Sequence, residues 1–166
     1  HAAYVLAQNL VSVLSETLTQ LPEMAPFVDL IEPALDHYRP EGPPVSPLTA
    51  SYFTCWAFFD ARVGPAGETI GTVLLEIAGF LRLGDDHRRL LRAMQESRMG
   101  VFVHEGAVGE DRGHPVLNLR ELWTAVPCRA LSSSGYAGEP GELWFARVLP
   151  PPFPGHGRHL GGIVEP

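Results

Sequence analysis

Five arginines, Arg82, Arg88, Arg89, Arg92 and Arg98, cluster around one short stretch of the sequence. Their planar donor forks can converge on a phosphate or an acidic partner. Interleaved with Asp85, Asp86 and Glu96, they also make an ordinary solvated helix face balanced by local pairing. A second group joins Trp123, Tyr136, Trp144 and Phe145 to Arg120, Arg129 and Arg147. Emerging on one sheet face, these would stack and clamp the bases of a single strand. Turned inward, the same aromatics are the core of a small barrel with arginines at its rim. The candidate contacts for a partner or a nucleic acid are therefore Arg88, Arg89, Arg92, Arg120, Trp123, Arg129, Trp144 and Arg147.

No catalytic residue is assigned, because each nucleophile or ligand pattern stops short of a site. His156 and His159 stand three residues apart, but two imidazoles without a carboxylate at ligand spacing do not make a metal centre. Ser132-Ser133-Ser134-Gly135 lacks the G-x-S-x-G elbow and reads as a connector. Cys55 sits in the most apolar run of the chain, and Cys128 follows Pro127 with no histidine beside it, so neither is an activated thiol. Gly64–Gly71 lacks the Lys-Ser/Thr pair of a phosphate loop, and Thr69 or Glu68 explains it as a helix start. An enzyme would have to bring together residues such as His87, His104 and His114 in one pocket. No cofactor and no metal is implied.

The elements that must carry these residues change character near Met99. Ala3, Ala7, Leu10, Leu14, Leu18 and Leu21 recur at helical spacing, and a second helix fits Ala25 to Tyr38, with Pro33 predicting a kink or break. Arg39–Pro47 holds four prolines and reads as an extended connector. Tyr52 to Phe59 is apolar nearly all round, a helix buried on several sides. Glu68–Leu83 resumes helical spacing with Gly84 as its C-cap, and Asp85 or Asp86 opens a fifth helix through about Arg98. Beyond that come five short β-prone runs: Val101–Glu105, Pro115–Leu119, Leu122–Ala130, Leu143–Leu149 and Leu160–Val164. The expected class is α+β: about five helices in residues 1–98, then a small antiparallel barrel or curled sheet in residues 99–166.

Composition narrows the function classes. At 166 residues with 45% hydrophobic and 19% charged side chains, the chain can build its own core. Its net charge of −7 argues against a general nucleic-acid or anionic-membrane binder. No run approaches the ~18 apolar residues of a membrane span. Two cysteines 73 positions apart suit a reducing, cytoplasmic compartment. All twelve basic residues are arginine, which fits a GC-rich bacterial genome. A first residue other than Met, and an end just after an apolar Ile163-Val164 pair, look like cuts in a longer polypeptide.

The order YFTCWAFFDAR, a Gly-flanked turn with Thr69, LGDDHRRLLRAMQESRMGVF, LNLRELWT and GELWFARVLP resembles a group of bacterial proteins without an assigned activity. Some of them carry a SecA-C-terminal-type zinc motif outside the matching region. The resemblance implies a helical-then-β arrangement and a bacterial origin, and it carries no zinc ligand onto residues 1–166. The expected function is a non-enzymatic protein–protein interaction module, one part of a larger bacterial assembly or self-associating. The alternatives are a single-stranded nucleic-acid or nucleotide binder using the β half, and an enzyme built on a His/carboxylate site.

Overall fold

The computed structural model describes residues 2–20, 22, 25–38, 47–150 and 162–165. Residues 39–46 of the expected connector Arg39–Pro47 lie outside them, as do His156, His159 and Leu160, while Pro47 opens a helix. The chain divides into two compact units, residues 5–91 and residues 92–166 together with 1–4.

The first unit is helical: α1 (Ala2–Thr19), α2 (Ala25–Tyr38), α3 (Pro47–Phe59) and α4 (Ile70–Glu76), with α5 (Asp85–Glu96) crossing the boundary. Helix α2 runs through Pro33 instead of breaking there. Proline deprives the carbonyl four residues earlier, Asp29, of its donor. Both residues are exposed, so solvent can supply the missing bond. Helix α3 buries Tyr52, Ala57, Phe58 and Phe59 but leaves Trp56 partly exposed beside Phe53, so it is not covered all round.

Helix α4 starts where a reciprocal cap is available: the Thr69 hydroxyl accepts from the Thr72 amide and the Thr72 hydroxyl accepts from the Thr69 amide. It ends earlier than its periodicity suggests, through a single 3-10 turn at Ile77–Gly79. The stop is a left-handed cap at Arg82 (φ 54°), with the Leu83 amide bonded to the Ala78 carbonyl and the Arg82 amide to Gly79. Gly84 is not that cap. Its carbonyl takes the Arg88 amide and so opens α5, whose first turn carries Asp85 and Asp86 at the positive end of the helix dipole.

The second unit is a closed five-stranded barrel in the order β1-β2-β3-β5-β4. Its strands are β1 (Arg98–Asp111), β2 (His114–Glu121), β3 (Pro127–Ser132), β4 (Leu143–Leu149) and β5 (Gly162–Glu165). Four of them form an antiparallel sheet, and β5 completes the circuit, antiparallel to β4 but parallel to β3. The barrel is thus mixed rather than wholly antiparallel. Strand β1 is far longer than Val101–Glu105, because register shifts after His104 and Ala107 let it bend without ending. It turns back through Arg112 (φ 51°) and Gly113 (φ 84°), a two-residue hairpin in which both central residues have positive φ. Residues 122–126, expected as the start of a strand, instead form the β2/β3 turn, where the Glu121 carboxylate accepts the Trp123 and Thr124 amides.

Inside the barrel Phe102, Leu117, Leu119, Ala130, Trp144 and Ala146 form one cluster, with Cys128 and Val148 packed against it. Alternation along each strand sends their neighbours outward.

Candidate functional site

Outward alternation on β4, β1 and β2 puts apolar side chains on a solvent-facing wall. Phe145 lies opposite Val101, and Leu143 opposite Val103. On the other side of β1, Val103 faces Arg120, and the Leu122 amide bonds the Val101 carbonyl. Leu143 is 62% exposed, Phe145 50% and Trp123, in the adjoining turn, 73%. Leu122 is exposed as well. One edge of this wall is marked by the Arg120–Glu105 ion pair, at 2.6 Å. At the β4 end the outer face is occupied, since Arg147 is buried and its guanidinium donates to the Met94 carbonyl and the Ser97 hydroxyl. Ser97 follows directly on α5, so the end of that helix covers the wall there, while Leu143 and Phe145 keep half or more of their surface exposed. The helical unit has an exposed stripe of its own, Val73, Ile77, Phe80 and Leu81, at helical spacing.

A polar cluster sits beside Leu143. Glu142 accepts from the Trp144 indole at 2.9 Å through one oxygen and from the Tyr136 hydroxyl at 3.2 Å through the other. Tyr136 and Trp144 stack at 5.6 Å, and His104 lies 5.0 Å from Trp144 on its ring centroid. The Trp144 indole first, then the Glu139 backbone, holds the Glu142 carboxyl below its ordinary value. The charge on Glu142, and then its hydrogen bond, pushes the Tyr136 phenol up. Gly138 (φ 63°) makes room for this cluster: a β-carbon there would fall 2.5 Å from Trp144. His104 itself is buried, and neither ring nitrogen has a hydrogen-bond partner among the described residues.

The eight candidate contacts separate accordingly. Trp144 is interior and Arg147 is spent on backbone and Ser97, so neither is open to a base or a phosphate. Arg88 donates through Nε to the Leu83 carbonyl, tying α5 to the turn before it, while Arg89 and Arg92 are exposed. Arg120, Trp123 and Arg129 lie on the outer side of β2, its turn and β3, with Arg120 paired to Glu105 and Arg129 reaching Asn118 at 3.4 Å. The barrel histidines are not brought together either: His104 pairs with Leu119, and His114 faces Asp111 at the far end of the hairpin. Leu143 and Leu122 carry no mark in the sequence: Leu143-Trp144-Phe145-Ala146 is apolar throughout, so only the structure shows that Leu143 and Phe145 face out while Trp144 and Ala146 face in.

Among the described residues no group of three or more His, Cys, Asp or Glu is placed to hold a metal ion, and no helix is long and apolar enough to cross a membrane. Comparison with family models, with curated proteins and with solved structures finds no match.

Proposed function

We propose that the chain is a non-enzymatic interaction module of a bacterial assembly, and that its β4-β1-β2 wall is the docking face. The observation that carries this reading is the row of Leu143, Phe145 and Leu122 exposed around Val101 and Val103. A contiguous apolar patch bordered by charge is what a protein interface presents before it is covered. The occupant is a protein with an apolar contact centre and a basic rim. Glu142 stands next to Leu143 and is held ionised, and the chain as a whole carries −7. That acidity repels an anionic membrane or a nucleic acid. Neither Cys55 nor Cys128 forms a disulfide, which suits a cytoplasmic setting.

Native mass spectrometry with cross-link mapping tests the proposal on the protein purified gently from its own cells. A stoichiometric complex whose cross-links fall on β4, β1 and β2, and which is lost in Phe145→Glu, supports it. A complex that survives Phe145→Glu, or a co-purifying oligonucleotide, overturns it.

A further inference from the structure

The opposite end of the barrel, where β1 and β3 begin and β2 and β4 end, has a different character. It opens as a cavity of about 530 Å³ lined by Phe102, Val126, Cys128, Val148 and Pro150, with Gly100 at its wall. That volume falls within the ~300–1,000 Å³ of small-molecule sites, which recur at the mouths of β-barrels. The Phe102 ring, buried in the barrel core, supplies an aromatic surface inside it. Gly100 preserves that surface, since a β-carbon there would come within 3.2 Å of the ring. The Cys128 thiol is kept protonated by burial, which pushes its pKa up, so it serves as an apolar wall and not as a nucleophile.

Among the described residues of the lining, the polar side chains are neutral or acidic. The charged side chains among the described lining residues are Glu96 and Glu121, and Thr124 is a neutral polar neighbour. Thr124, through its hydroxyl and its amide, and then the Trp123 amide hold the Glu121 carboxyl below its ordinary value, so it is ionised at neutral pH. Arg147 bonds the Met94 carbonyl and the Ser97 hydroxyl, and neither it nor Arg92, exposed on the last turns of α5, is among the described lining residues.

We infer that this barrel mouth binds a small organic cation with an aromatic or branched apolar body, the body against Phe102, Val126 and Val148 and the charge between Glu96 and Glu121. An aromatic face and carboxylates both favour a weakly hydrated ammonium, while an anion of the same shape meets two negative charges. The site is separate from the β4-β1-β2 docking wall and stands whether or not that wall has a partner.

The experiment is a titration of the full chain, followed by amide and methyl NMR shifts, with benzyltrimethylammonium and with the anion phenylmethanesulfonate. The ammonium is expected to give saturable shifts centred on Phe102, Val126 and Val148, and the sulfonate none at equal concentration. Glu121→Gln should weaken the ammonium by roughly three- to fivefold, as for a partly exposed ion pair. Val126→Trp should abolish binding by filling the mouth; Val126 is 58% exposed, so the change leaves the core untouched. Equal binding of the sulfonate, absence of saturable shifts, or undiminished binding by Val126→Trp would each overturn the inference.

Discussion

Glu142 shows how much one half-buried side chain can organise when two aromatic donors converge on it. Its carboxyl is depressed by the Trp144 indole, so the stability it contributes is fully present above the ordinary carboxylate value, about 4.3. That contribution is lost as pH falls through the depressed value. Tyr136 works in the opposite direction: its pKa is raised, so its contribution is present below about 10 and is lost as pH rises through the folded value. Glu142→Gln is therefore expected to flatten the acid limb of Tm against pH and to return the Tyr136 phenol towards its ordinary titration in ultraviolet absorbance. Gly138 is the backbone counterpart of this cluster. Gly138→Ala combines positive φ with a clash on Trp144 and should cost about 2 kcal/mol or more in urea unfolding. Arg82 is the reverse case, a side chain where glycine belongs. Arg82→Gly should stabilise by about 0.5 kcal/mol, the left-handed strain being offset in part by the freer unfolded chain. The same chemical denaturation series reads both.

Elements here begin and end where local hydrogen bonds permit, and only partly where apolar periodicity predicts. The Thr69/Thr72 cap fixes the start of α4, and Thr69→Ala should cost about 1 kcal/mol, read as a lower urea midpoint with unchanged m. A loss well below that would mean that Thr72 alone satisfies the helix start. The end of α4 was harder to anticipate, because nothing in the residue types marks Arg82 as left-handed. The local bonds from the Arg82 amide to Gly79 and from the Leu83 amide to Ala78 hold that conformation, and exposure of Asp29 and Pro33 lets α2 continue through its proline. The bounds of α2 and β4 are readable at Ala25–Tyr38 and Leu143–Leu149, α2 from its helical period and β4, whose alternation is imperfect, from the Gly141 and Pro150 that flank it. Strand β1 was read far too short: glycines at 106 and 109 look like breakers, yet in a barrel they accommodate the bulges that let a strand bend.

At the scale of the whole molecule, closure of the barrel depends on the shortest strand. Strand β5 joins β3 to β4, and its loss would leave both with unpaired edges. Deleting residues 162–166 should lower stability by about 1 kcal/mol for each ladder hydrogen bond removed. Hydrogen exchange should show the loss first on the Ala130–Ser132 and Arg147–Leu149 amides, with association on size exclusion as the exposed edges meet. Unchanged protection at those amides would mean that the four antiparallel strands hold without β5. The sequence by itself determined the α+β class, the passage from helices to strands near Met99, the acidic balance and the failure of each catalytic pattern, because these follow from composition, short-range spacing and complete motifs. Only the tertiary structure decided that Trp144 and Arg147 are spent inside their unit while Leu143, Phe145 and Leu122 face out. Which side of a strand meets water depends on a register that a single bulge can shift, on partners tens of residues away and on where α5 ends against the wall.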